Sequence, residues 1–166
     1  DDTLAPDKVH YENAKEDLVD LIQENSDQTV SEDKILNYLH EVDMERYHTM
    51  GVTRTRFARS CHETAVKFVG EEIAPQAWNI ARSVFMTPQA YNEIGTFDGF
   101  DRFTETVKQS HHSVVLTAGV EDIQERKIEG LNIRNHFREV EIVPSGGKKD
   151  VLEQLDTEYD TVIHIG

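Results

Sequence analysis

Three short runs rich in β-branched residues, each a helix-length stretch from the next, restrict this chain more than any other feature. Ser113-Val114-Val115-Leu116, Glu139-Val140-Glu141-Ile142-Val143 and Thr161-Val162-Ile163-His164-Ile165 have strand length and composition. Between them, Glu121 to Glu129 and Asp150 to Leu155 read as helices. Strand, helix, strand, helix, strand at this spacing demands crossovers, and so a parallel sheet. The first run is apolar throughout and is expected to be buried on both faces. Ahead of it, Phe97-Asp98-Gly99 leads into a helix carrying Phe100, Phe103 and Val107. The expected fold class is α/β with a Rossmann-like parallel-sheet core.

The first half of the chain obeys a different period. Val9, Ala14, Leu18, Leu21 and Ile22 recur at helical spacing among acidic residues, and Asn25-Ser26-Asp27 closes the segment. Ser31 is a suitable N-cap, and Val30 before it can staple onto Ile35. The helix so opened runs from Glu32 to Met50, with Gly51 as its stop. A third helix from about Arg54 carries Phe57, Cys61, Ala65 and Phe68 and ends at Gly70. A fourth runs from about Gln76 to Met86, where Thr87-Pro88 breaks it. Four helices on short turns predict a bundle.

Charge narrows the partners. Lys plus Arg number 17 against 32 Asp plus Glu, a net charge of −15. Such a field repels nucleic acid and anionic lipid, so neither is an expected partner. Solubility or a high-salt habitat would each explain the acidity. A phosphorylated ligand would be repelled too, unless a local positive site overcame the field. No apolar run approaches the roughly 20 residues of a membrane span. Asp1-Asp2-Thr3-Leu4 has no basic-then-apolar leader character. The one cysteine, Cys61, excludes an internal disulfide and fits a reducing compartment, so a cytoplasmic location is expected.

Parallel sheets bind ligands at the carboxyl ends of their strands. After the first run comes Thr117-Ala118-Gly119, a hydroxyl followed by backbone amides that can grip a phosphate oxygen; the same residues are also ordinary turn chemistry. After the second comes Pro144-Ser145-Gly146-Gly147-Lys148-Lys149, where paired glycines permit a sharp turn and a lysine brings positive charge to the same rim. Both lysines could instead be solvated, and one of the two is expected to be. The spacing is not that of a Walker loop, and no Gly-x-Gly-x-x-Gly fingerprint exists for a dinucleotide. Arg54, Arg56 and Arg59 could meet the far end of an anionic substrate, or pair with nearby acids such as Glu45 or Glu63. His111-His112 fall in a turn without other ligands at metal spacing and read as solvated. Trp78 reads as core.

Taken in order, these segments resemble the haloacid dehalogenase superfamily. Asp1-Asp2-Thr3-Leu4 resembles the end of its Asp-x-Asp-Asp-Thr-Leu motif, and Val114 to Gly119 its second motif. Gln124, Lys127, Gly130-Leu131 and His136-Phe137 match the helix and approach that follow. Lys148 resembles the third motif, and Val162 to Gly166 the strand that leads to the fourth. The resemblance implies a core over 1–8 and 89–166, with a helical cap over 9–88 inserted after the first motif. It implies a Mg²⁺-dependent phosphatase acting on a small phosphorylated metabolite through an aspartyl-phosphate. Asp1 would be general acid and base, its backbone carbonyl a metal ligand. Thr117, Ala118 and Gly119 would bind phosphate, and Lys148, with Lys149 as understudy, would orient it. The nucleophile would lie two residues before Asp1 and the acidic metal ligands just after Gly166. Asp2 cannot serve instead, because neighbours on a strand face opposite ways. The 166 residues alone are therefore expected to be inactive and poorly stable, and a longer parent active. Dehalogenase, phosphonatase and phosphomutase chemistry share these motifs, and a non-catalytic binding module would keep the fold without the aspartates. Oligomeric state is left open by the sequence.

Overall fold

The computed structural model describes residues 4–6, 8–86 and 88–165, apart from the side chains of 83–90. Asp1, to which the sequence assigns acid–base and metal-ligand roles, lies outside the described residues, as do Asp2 and Thr3. The chain forms two units: Lys8–Met86, and Asp1–Asp7 together with Thr87–Gly166.

The first unit is helical: α1 (Lys8–Asn25), α2 (Glu32–Met50), α3 (Arg56–Val69) and α4 (Ala74–Met86). Glycines end two of these helices. Gly51 (φ 65°) and Gly70 (φ 89°) adopt left-handed backbone that a side chain would strain, and their N–H groups donate to the carbonyls of Tyr47 and Val66. Val30 packs against the cluster that contains Ile35, as a staple requires, although the Ser31 side chain makes no capping bond. The core is Leu18 and Ile22 from α1, Ile35 and Leu39 from α2, Phe57, Cys61 and Ala65 from α3, and alanines from α4. Ala74, Ala77 and Ala81, each fully buried, give α4 a face without bulk, so that α3 and α1 can approach its backbone closely. Trp78 packs at the margin of this cluster.

Burial pushes the Cys61 thiol well above its ordinary range, and the nearby Asp43 charge adds to the effect. Cys61 is therefore expected to resist a thiol reagent at pH 8 in the native protein. Labelling should be slower than in denaturant by a factor of about a thousand or more, because it must await opening of the bundle. Stopped-flow modification checks this, and native-state labelling at the denatured rate would contradict the burial.

The second unit is α/β. It contains α5 (Pro88–Ile94), α6 (Phe100–Ser110), β1 (Val114–Ala118), α7 (Glu121–Gly130), a 3-10 turn at Arg134–His136, β2 (Glu139–Val143) and α8 (Lys148–Glu158). β1 and β2 pair in parallel, with Val114 opposite Glu139 and Ala118 opposite Val143. Val140 and Ile142 of β2 pack with Tyr91, Phe100, Ile128, Leu131 and Ile133, while Glu139 and Glu141 are exposed. That alternation is what a strand with one wet face should show.

Two expectations need correction. β1 is not buried on both faces: of its five residues only Val115 is buried. Thr161–Ile165 forms no strand. Among the described residues it has no strand beside it, and Ile163 and Ile165 are 71% and 62% exposed. A β-run can complete its backbone hydrogen bonds only against a neighbour, so composition alone could not secure it. Asp150–Leu155 is helical as expected, within the longer α8 that begins at Lys148.

Candidate functional site

The parallel register decides what meets at the strand ends. Because Thr117 stands opposite Ile142 and Ala118 opposite Val143, both loops leave the sheet side by side, about 4.8 Å apart. The Gly119 N–H donates to the Val143 carbonyl at 2.9 Å, extending the ladder by one step. Beyond β2 the Gly147 N–H donates to the Pro144 carbonyl at 2.9 Å, closing a tight turn whose third residue, Gly146, has φ 91°. Positive φ at that position is the mark of a type II turn and suits glycine. Gly147 has little room, since a Cβ there would come within 3.1 Å of Val143. The turn delivers Lys148 to the first position of α8.

The two sequence candidates brought to this rim are thus Thr117 and Lys148, with Ala118 and Gly119 beside the first. Lys148 is half-buried and makes no hydrogen bond or ion pair among the described residues. Lys149 is 80% exposed and lies 3.4 Å from Glu153 on its own helix, so it is solvated, as one of the pair was expected to be. The N-terminus of α8 adds its dipole to the Lys148 charge. The corresponding end of α7 is occupied by Glu121 and Asp122.

Thr117 is not empty-handed. Its hydroxyl donates to Gln124 Oε1 at 2.7 Å. Gln124, on the first turns of α7, is 8% exposed and lies across Gly119, where its Nε2 would be 2.9 Å from an added Cβ. The sequence reading gave Gln124 no chemical role. A signal existed: Gln124 begins the inward stripe that continues through Ile128 and Leu131, and it is the polar member of that stripe.

The arginines belong to the other unit and divide by role. Arg56 is held against Asp43, donates also to the Asp43 carbonyl at 3.3 Å, and lies over the Tyr47 ring at 5.4 Å. Arg56 thus pairs with a nearby acid, as the ion-pair reading expects, though that acid is Asp43; Glu63 pairs with Arg46. Arg54 is half-buried and already engaged. Arg59 is exposed and borders a groove of about 710 Å³ with Arg46, His62, Trp78 and Asn79. The histidine pair departs from the solvated reading at one position: His112 Nε2 lies 2.9 Å from Glu139 and its ring packs at 5.3 Å from Tyr159. Among the described residues no group of His, Cys, Asp and Glu could hold a metal ion. No described helix is long and apolar enough to cross a membrane.

No protein-family profile matches this sequence, and no curated protein matches it. Solved structures do. A haloacid dehalogenase-like family hydrolase from Xanthomonas campestris superposes on 96% of this chain with a TM-score of 0.73 at 20% identity. The chain spans 65% of that protein's length. The putative HAD-hydrolase YfnB from Bacillus subtilis, in a structure bound to magnesium, aligns over all of this chain and 72% of its own at 14% identity, with a TM-score of 0.46. The first of these likenesses establishes the fold: this chain is built as haloacid dehalogenase-like hydrolases are, an α/β core interrupted by a helical unit.

Proposed function

We propose that a chain with this fold is a phosphate-ester hydrolase, with its anion site at the rim formed by the ends of β1 and β2. The observation that supports it most is the parallel pairing of β1 with β2, by which the loops that carry Thr117 and Lys148 leave one end of a sheet, with Lys148 unpaired among the described residues, in a chain of net charge −15. A half-buried ammonium with no counter-ion among the described residues favours an anionic ligand. A phosphoryl group carries its charge on several oxygens, and the rim offers it a hydroxyl, the Ala118 amide and an ammonium. Lys148 would neutralise an equatorial oxygen, and Thr117 and Ala118 would fix the orientation of another. Asp1 would give a proton to the leaving oxygen and later take one from water. The substrate class is a small phosphorylated metabolite, the helical unit is its cap, and the protein is cytoplasmic. Arg54, Arg56 and Arg59 were the cap's candidates for substrate contact. Arg56 is committed to Asp43, which leaves Arg59 as the most available of the three.

Mg²⁺ fits such chemistry as a screen between phosphate and carboxylate, but the described residues do not compose its ligand set. We retain it as the proposed cofactor and assign the steps above to the chain's own groups. A second reading, a binding module that holds a phosphorylated ligand without turning it over, uses the same rim.

A screen of phosphate monoesters with and without Mg²⁺, run beside a haloacid, separates these readings. Mg²⁺-dependent release of phosphate supports the hydrolase. Halide release without metal supports a dehalogenase, and saturable phosphate binding without turnover supports the module. A protein that does none of these leaves the proposal without support.

A further inference from the structure

Gln124 stands where it can steer the Thr117 proton. Its Oε1 accepts that proton at 2.7 Å, the residue is 8% exposed, and its Nε2 lies over Gly119 close enough to exclude a Cβ. We infer that Gln124 is a positioning residue that sets whether Thr117 offers an incoming anion a lone pair or a proton; the inference rests on the anion-binding reading above.

A threonine hydroxyl has a single proton. While that proton is on Gln124, Oγ1 turns only lone pairs outward, and lone pairs repel an oxyanion. A primary amide can resolve the conflict without leaving its place. A half-turn about its terminal torsion puts Nε2 where Oε1 stood, so that an amide N–H donates to Oγ1 and the hydroxyl proton is released towards the anion. The resulting chain, N–H to O–H to O⁻, runs in one direction, and each bond polarises the next. The turn needs little space, because the two amide heads are nearly isosteric. Gly119 leaves room for either head above its Cα, a reason for glycine there in addition to its φ of 151°.

The test uses inorganic phosphate as probe, titrated into the full chain by calorimetry and followed in the side-chain amide signals of Gln124. Saturating phosphate should move one Gln124 amide proton downfield. Gln124→Glu, whose carboxylate can only accept, should weaken phosphate about a hundredfold, and Gln124→Leu about fivefold to tenfold. In a Thr117→Val background there is no proton to steer, so the leucine penalty should vanish and the glutamate penalty should shrink. Penalties unchanged in that background would make Gln124 a steric or simple charge effect and overturn the inference. Should the leucine variant not fold, the amide signal decides alone, and a Gln124 signal unmoved at saturation overturns it. Wild type that binds no phosphate, or binds it equally well after both Lys148→Met and Thr117→Val, removes the anion site and this inference together. Losses on those two replacements with Thr117-independent Gln124 penalties remove the inference only.

Discussion

Lys148→Met is expected to lower phosphate affinity by about tenfold to a hundredfold while leaving the stability of the fold nearly unchanged. The two halves of that expectation come from the same fact. Lys148 makes no ion pair or hydrogen bond among the described residues, so its removal breaks none of their contacts. Methionine keeps most of the half-buried aliphatic stem and discards the ammonium. A charge-assisted contact to a phosphate oxygen contributes about 1.5–3 kcal/mol, which is the stated loss in affinity. Lys149 provides the internal control. It is 80% exposed and beside Glu153, and Lys149→Met should change affinity by less than about twofold, as expected for a screened surface charge. Calorimetric titration of phosphate into the three proteins decides the matter. Equal losses at both positions would mean a diffuse field rather than a site, and a large fall in thermal midpoint for Lys148→Met would mean that the lysine is structural.

How much of this could be read from the residues depends on how local each cause is. The ends of α2 and α3 were legible because Gly51 and Gly70 act through their own φ, whatever surrounds them. That Thr117 and the loop leading to Lys148 lie at one end of the sheet was legible one step removed: strand composition implies parallel pairing, and parallel pairing puts strand ends together. What failed depended on neighbours. Pro88 marks a stop for the helix before it, yet a proline suits the first turn of a helix equally well, and α5 begins there. Thr161–Ile165 has a strand's composition without a strand beside it. His112 was read as solvated because Glu139 and Tyr159 are far from it in sequence and reach it only through the sheet and α8. The partner of Arg56 is fixed by how α3 crosses α2, and sequence distance favours Glu45 and Glu63 as much as Asp43. The Thr117–Gln124 bond joins residues seven apart, but only the turn of α7 back over the strand end makes them neighbours.

That crossing of α2 and α3 carries the second large effect: Asp43→Ala is expected to destabilise the helical unit by about 2–4 kcal/mol. Asp43 is held by the Arg56 guanidinium and also accepts from Ser60 Oγ at 2.9 Å, and the side chains of the pair are only 14% and 20% exposed. Removing the carboxylate leaves a cation that water reaches poorly, and an uncompensated buried charge costs more than the pair contributed. The remedy follows from the same reasoning. Asp43→Leu with Arg56→Met takes away both charges and fills their space with apolar atoms, and Ser60 keeps its bond to the Arg56 carbonyl at 3.0 Å, so no donor is orphaned. The double variant should recover most of the lost stability, to within about 1 kcal/mol of wild type. Trp78 is the one tryptophan and packs on the helical core, so its fluorescence in a urea titration reports this unit alone. A double variant as unstable as Asp43→Ala would show that the carboxylate acts through something other than Arg56. An Asp43→Ala protein with an unshifted midpoint would show that the guanidinium finds water after all.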